Sequence, residues 1–118
     1  MSNWTHVIAA YEVNTWRCSK KIRTIVRKIM KHAPEISGSE GPADMFINFP
    51  SGFSESSVKF VNGTCKRVDY QTHFVVTISG HLRDRIADTT KNELKRFETF
   101  LKSQDWEIVM KRISVEES

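Results

Sequence analysis

The sequence has little cysteine and no long apolar run. Its 118 residues include two cysteines, Cys18 and Cys65, which lack the C-x-x-C spacing and the neighbouring histidines of a metal site. Two distant thiols make no disulfide framework, so reduced thiols are expected. No stretch approaches the ~18 apolar residues that a membrane span requires, and the first ten residues lack the basic start of a signal peptide. These absences predict a cytoplasmic protein with no membrane, metal or cofactor.

The glycine motifs of nucleotide-binding enzymes are also missing. Gly38 and Gly41 have no third glycine at the dinucleotide-binding spacing, and no Gly-Lys pair follows them as in a P-loop. Neither cysteine has an evident neighbouring base, so nucleophilic catalysis is not indicated. We therefore expect a protein that binds its ligand without transforming it.

Charge of one sign is unevenly distributed along the chain, whose net charge is +4. The segment from Arg17 to Lys31 contains seven basic residues and no acidic one, whereas Glu35 to Glu55 contains four acidic residues and no Lys or Arg. An ordinary solvated helix would place Glu between its cations, because like charges one turn apart repel. The asymmetry predicts an anionic partner for the basic segment.

Two apolar stretches have the pattern of inner strands. Thr72 to Ser79 carries apolar residues at every second position, and Val75 adds one to the opposite face. Trp4 to Val13 is also apolar on both faces. A strand with two apolar faces is typical of the middle of a sheet.

Between these strands the pattern changes to a helix, a loop and a short strand. Apolar residues recur with a period of 3.6 over residues 16–32, and Pro34 ends this helix. Pro34–Ala43 is predicted to be a loop from its two glycines and two prolines. Asp44–Phe49 follows as a short strand. Further on, Asn62-Gly63 has the sequence of a two-residue hairpin turn between strands at 58–61 and 64–68.

The C-terminal third predicts a second helix and a last strand. Thr90 and Glu93 have the spacing of a capping box, which places a helix over about residues 91–103. Asp105–Val115 alternates as a strand, and a change of phase at Lys111-Arg112 predicts a bulge, which is commoner on an edge strand.

The order strand, helix, strand, strand, helix, strand is that of the ferredoxin-like split β-α-β arrangement, an α+β fold. It predicts a four-stranded antiparallel sheet of order 4-1-3-2 with both helices on one face. The chain is long enough for one core, so residues 1–118 are expected to form a single domain, with an added hairpin projecting near 53–69.

Three short segments resemble proteins of tailed bacteriophages. They are NWTHV at 3–7, SEGPAD at 39–44 and GHLRDR at 80–85, which look like the corresponding segments of small uncharacterised phage proteins. The resemblance implies an accessory protein in the host cytoplasm, where such proteins sequester a defence signal or block a host protein. It implies no site residues.

Two groups of residues are candidates for ligand binding. Phosphate is the natural partner of Arg forks and Lys charges. The first group is the basic helix, with Arg17, Lys20, Arg23, Arg27 and Lys28. The second is the end of the sheet where the 34–43 loop and the turn after Gly80 meet, with Glu40, His81, Arg83 and Arg85. The plainer interpretations are a solvated helix face for the first group and a structural ion-pair cluster for the second.

The favoured function is binding of a nucleotide signal or nucleic acid, with two alternatives. In one, the basic helix binds an acidic host protein as an inhibitor. In the other, His6 and His73 face one another as a two-histidine phosphodiesterase. Such an enzyme needs Ser or Thr two residues after each His, where this chain has Ile8 and Val75.

Self-association is also predicted. The sheet face away from the helices would be too apolar to remain in water, so a homodimer covering it is expected. The residues assigned to this face are Trp4, His6, Ile8, His73, Val75 and Thr77.

Overall fold

The computed structural model describes residues 3–15, 22–49, 55–61, 64–104 and 106–118. These residues form the strands and helices β1 (Trp4–Thr15), α1 (Ile22–Lys31), β2 (Ser37–Gly38), β3 (Gly41–Pro42), β4 (Asp44–Asn48), β5 (Glu55–Val61), β6 (Thr64–Arg83), α2 (Ala87–Ser103) and β7 (Trp106–Glu117). The predicted helix over residues 16–32 is present from Ile22, and its first six residues lie outside the described part of the chain.

Four strands form an antiparallel sheet in the order β4, β6, β1, β7. β1 pairs with β6 along its whole length, from Trp4 opposite Arg83 to Thr15 opposite Thr72. The two stretches with apolar residues on both faces are therefore inner strands, as predicted. With its two helices the protein is α+β.

β6 is longer than the sequence pattern indicates. β5 pairs antiparallel with the first part of β6, with Val61 opposite Thr64, and β6 then continues without a break to Arg83. The strands predicted separately at 64–68 and 72–79 are thus one strand. The predicted turn at Asn62-Gly63 lies outside the described residues.

The core lies between one face of the sheet and the two helices. Alternate residues of β1 and β6 are buried on this face, and Ile25 and Ile29 of α1 join the same cluster as Leu94, Phe97 and Leu101 of α2. Both helices therefore cover the same face, as predicted. Each fully buried side chain of this size contributes about 1.5–3 kcal/mol.

Aromatic residues link α2 to the strands below it. The ring of Phe97 is 5.8 Å from that of Tyr11 and 6.2 Å from that of Phe100. Trp106 meets Phe74 edge to face at 5.5 Å. Burial raises the pKa of Tyr11 to about 12, and the charge of Glu98 adds to the effect. Edge-to-face aromatic contacts of this kind add to the stabilisation from burial.

The predicted capping box is wrong. α2 begins at Ala87, so Thr90 is within its first turn, and its hydroxyl donates to the Ile86 carbonyl at 3.4 Å. The first turn is capped from a distance instead, since the Ala87 N–H donates to Glu117 Oε1 at 2.7 Å. Tertiary contacts have replaced the local capping pattern.

The turn predicted after Gly80 also lies further on. β6 continues to Arg83, and the chain turns at Asp84, whose φ of 60° is in the left-handed region. The 34–43 loop contains the short β2–β3 ladder and packs on this end of β6. A Cβ on Gly38 would lie 2.5 Å from the Arg83 carbonyl oxygen, so glycine permits the close approach.

The bulge in the last strand is real but misplaced in the prediction. The pairing of β1 with β7 shifts between Glu12 and Val13, opposite Met110 and Ile108, which leaves Val109 as the extra residue. The sequence placed it at Lys111-Arg112. β7 is an edge of the sheet, where bulges are common.

Candidate functional site

The solvent face of α1 carries an uninterrupted line of cations. Arg23, Arg27 and Lys31 are exposed, and the spacing of four residues places them about 6 Å apart along one side of the helix. Among the described residues no carboxylate forms a salt bridge with any of them. We call these three residues the basic stripe.

The other predicted helix residues are placed differently. Lys28 is half-buried and engaged in an interaction of its own. Arg17 and Lys20 lie outside the described residues. Lys31 belongs to the basic segment but was not among the candidate residues, although its spacing from Arg27 was readable in the sequence.

Several cations on α2 and β7 do have acidic partners among the described residues. Arg96 binds Glu93 at 3.0 Å, and Lys111 and Lys102 bind the two oxygens of Glu98 at 2.6 and 3.6 Å. The basic stripe is distinguished from these pairs by the absence of any acid on its own helix.

These pairs also set the acidity of the two carboxyl groups. The Glu35 N–H, which donates to Glu93 at 2.9 Å, and the nearby Arg96 hold the pKa of Glu93 below its usual value. Burial raises the pKa of Glu98, but Lys111 and Lys102 together outweigh it and lower the pKa. Both groups therefore favour their charged forms in the fold.

The second predicted site, at the end of the sheet, does bring its residues together, but mostly through structural contacts. The Arg85 guanidinium donates to Thr90 Oγ1 at 3.0 Å and to the carbonyls of Glu35 and Ser37 at 3.1 and 3.5 Å. Its donors are occupied in tying the 34–43 loop to α2. Arg85 is thus better suited to holding the fold than to binding phosphate.

Arg83 and Glu40 form an exposed ion pair at 3.6 Å. The Ser39 N–H donates to the Arg83 carbonyl at 2.9 Å, which fixes the loop against the end of β6. An exposed pair of this kind contributes about 0–1 kcal/mol. The carboxylate beside Arg83 also opposes the approach of an anion.

His81 contacts His6 on the opposite face from the helices. Their Nδ1 atoms are 2.5 Å apart, and His6 Nε2 lies 2.8 Å from Ser118 Oγ. One Nδ1 must donate and the other accept, so the Nδ1 atom of His81 is occupied within the protein.

The prediction that His6 and His73 face one another is wrong. His6 pairs with His81, whereas His73 pairs with Asn14. Eight residues of strand therefore separate the two histidines, a distance of about 26 Å. His73 binds Glu12 at 2.8 Å instead. The two imidazoles cannot act on one phosphate.

A cleft of about 510 Å³ lies where the end of α1, the 34–43 loop and β4 meet. Its described lining is mainly apolar and includes Met30, Pro34, Met45 and Ile78, and the charged residue among the described lining residues is Glu35. From these described residues a phosphate would meet a carboxylate and no cation. The cleft is therefore unsuited to a nucleotide.

The sheet face away from the helices is open. Its predicted residues on β1 and β6 do lie there, at positions that alternate with the buried ones. Ile8 is 64% exposed, and Phe46 of β4 adds an exposed aromatic ring at 59%. This face is accessible to a partner.

Other kinds of site are absent from the described part of the chain. Within it, no three His, Cys, Asp or Glu side chains are grouped to hold a metal ion. None of its helices has the length and apolar character needed to cross a membrane.

Comparison with protein-family models, with curated proteins and with solved structures found no match to this chain. Function must therefore be inferred from the geometry described above.

Proposed function

We propose that the protein binds an extended polyanion, most simply a nucleic acid strand, through the basic stripe of α1 and does not transform it. The observation that carries this proposal is that Arg23, Arg27 and Lys31 are exposed on one helix with no acidic partner among the described residues. Cations in a row attract the phosphates of a nucleic acid, and their binding releases the counterions that were condensed on those phosphates.

The shape of this surface favours a strand over a single nucleotide. The stripe lies on the convex side of a helix, and its outer members are about 12 Å apart. Three cations so arranged cannot converge on one phosphate group, but each can meet a different phosphate of a strand. A small nucleotide would need a concave site, and the cleft beside α1 has a carboxylate in place of a cation.

The biological setting is part of the proposal. The segments at 3–7, 39–44 and 80–85 support an accessory protein of a tailed phage that acts in the host cytoplasm. The strand order supports a ferredoxin-like fold with an added hairpin in a single domain. A role against host defence would follow if the strand bound is one that the host uses as a signal.

The alternative is an inhibitor that binds an acidic host protein through the same stripe. Charge alone favours this as much as nucleic acid, because a row of carboxylates also neutralises a row of cations. Binding measurements with a nucleic acid and with an acidic polypeptide are therefore needed to distinguish strand binding from inhibition of an acidic protein.

The test is a binding titration with three anions at low salt. A fluorescent single-stranded oligonucleotide of eight residues, a nucleoside triphosphate and an oligoglutamate of matched charge are titrated separately. The proposal expects the oligonucleotide to bind at least about tenfold more tightly than either, a difference of about 1.4 kcal/mol. Preference for the triphosphate would contradict strand binding, and preference for oligoglutamate would favour the inhibitor.

A further inference from the structure

The outer edge of β7 is long and uncovered. β7 has twelve residues and ends the sheet, and the described part of the chain places no strand beyond it. Val109, Met110 and Ile113 are 51%, 49% and 44% exposed along it. A free edge offers a row of unpaired N–H and C=O groups that another strand can join.

The register with β1 shows which backbone groups face outward. Trp4 and Ser118 exchange both hydrogen bonds, with N–O distances of 3.3 and 3.0 Å, so Ser118 points its backbone groups toward β1. In an antiparallel ladder the next residue points away, and the alternation continues along the strand. The residues with outward N–H and C=O groups are Lys111, Ile113, Val115 and Glu117.

We propose that β7 pairs edge to edge with β7 of a second copy of the chain, antiparallel, about a two-fold axis at Ser114. In this register Ile113 lies opposite Val115 of the other copy, and Lys111 lies opposite Glu117. Every one of the four outward residues then meets an outward residue, so the backbone groups of both edges are satisfied together. The exposed side chain of Ile113 is covered by an apolar neighbour.

Charge complementarity selects this register. Arg112 lies opposite Glu116 of the other copy, and the two-fold axis repeats the pair. Neither side chain forms a salt bridge among the described residues of a single chain. If the two-fold axis lay at Ile113 instead, Arg112 would face Ser114 of the other copy, and if it lay at Val115, Arg112 would face Ser118. An axis at Arg112 would set the two Arg112 side chains against each other. The sequence of β7 is therefore self-complementary about Ser114.

This interface differs from the one expected from the open face. Face-to-face packing would cover Ile8 and Phe46, whereas edge pairing extends the sheet from four strands to eight and leaves the face accessible. It requires nothing of the basic stripe, so it does not depend on the proposed ligand.

The test is sedimentation equilibrium of the full chain at micromolar concentration, with folding followed by circular dichroism. The wild type is expected to be a dimer. Arg112→Glu and Glu116→Arg should each raise the dissociation constant about tenfold, because each sets like charges opposite one another twice. The double variant should restore wild-type affinity, since the pair is present again with its signs exchanged.

A backbone variant makes the test independent of charge. Ile113→Pro removes an outward N–H while leaving the bonds to β1, so a folded monomer is expected. A monomeric wild type, a double variant that stays as weak as the singles, or a dimer that Ile8→Glu dissociates and Ile113→Pro does not would each overturn the proposal.

Discussion

The two helices cover the same face of one sheet, yet they are built differently. α2 contains three acidic and four basic residues, and two of its cations bind acids on the same helix. α1 contains four basic residues and no acidic one. α2 also buries five residues, whereas the described buried residues of α1 are Ile25 and Ile29.

The difference is consistent with a structural role for α2 and with the binding role proposed for α1. α2 is anchored by its aromatic side chains and its charges are balanced locally, as in a helix selected for stability. In the basic stripe, like charges one turn apart cost about 0.2–0.5 kcal/mol per pair, and no salt bridge among the described residues offsets the repulsion between its three members. A polyanion bound to the stripe would offset that cost.

The largest effect is expected in the core under α2. Phe97→Ala removes the ring between Tyr11 and Phe100 and should lower the free energy of unfolding by about 3–5 kcal/mol, measured by urea denaturation. Ile29→Ala in α1 should cost about 2–3 kcal/mol, because a smaller side chain is removed and because the less anchored helix can relax around the cavity. Equal costs would show that the two helices are equally anchored.

Arg85 tests whether the end of the sheet is structural. Arg85→Met should lower the free energy of unfolding by about 1–3 kcal/mol, because Thr90 and two loop carbonyls lose a charged donor. Oligonucleotide affinity should not change. If Arg85→Met left the stability unchanged and weakened oligonucleotide binding, Arg85 would instead be a ligand-binding residue.

The balanced charges of α2 should appear in the pH dependence of stability. The pKa values of Glu93 and Glu98 are lowered from 4.5 in the fold. At a pH between the lowered values and 4.5, the folded state therefore binds fewer protons than the unfolded chain. Their stabilisation is complete above that value and is lost as the pH falls through the lowered pKa values.

Glu98→Gln should therefore cost about 1 kcal/mol at pH 7 and flatten the acid limb of a stability curve measured by thermal unfolding. An acid limb as steep as that of the wild type would contradict the assigned pairing with Lys111 and Lys102.

The smallest effect has the opposite sign. Arg27→Gln removes the central charge of the stripe, which repels both Arg23 and Lys31, and should stabilise the fold by about 0.4–1 kcal/mol at low salt. Lys95→Gln is the control on α2, where no gain is expected because the repulsion from Lys91, four residues before, is balanced by the attraction of Glu98, three residues after. A destabilised Arg27→Gln would mean that Arg27 has a structural partner.

The inner strands and the helix faces were predictable because burial imposes periods of 2 and 3.6 on the sequence. The start of α2 was not, because Glu117 caps Ala87 from thirty residues away and no local pattern encodes that contact. The continuation of β6 past Gly80 depends equally on pairing with β1, which Gly80 joins opposite Val7.

The candidate site divides in the same way. Arg23 and Arg27 were predictable because helical spacing and the missing acids are both local properties. The roles of Arg85 and His81 were not, since their donors and acceptors lie on the 34–43 loop and on β1. Sequence placed these residues at the correct end of the sheet without showing that their polar atoms were already occupied.

The most direct test of the basic stripe is the salt dependence of binding to a single-stranded oligonucleotide of eight residues. Three cations that each meet a phosphate predict a slope of log affinity against log salt of about −2, or about fifteen-fold weaker binding at 200 mM than at 50 mM salt. Arg23→Glu/Arg27→Glu should make the slope shallower, at about −0.7 or closer to zero, and should abolish most of the affinity. Lys91→Glu/Lys95→Glu, with the same spacing and charge change on α2, should leave slope and affinity close to wild type. Equal losses from both pairs would show attraction by net charge alone and contradict a binding site on α1.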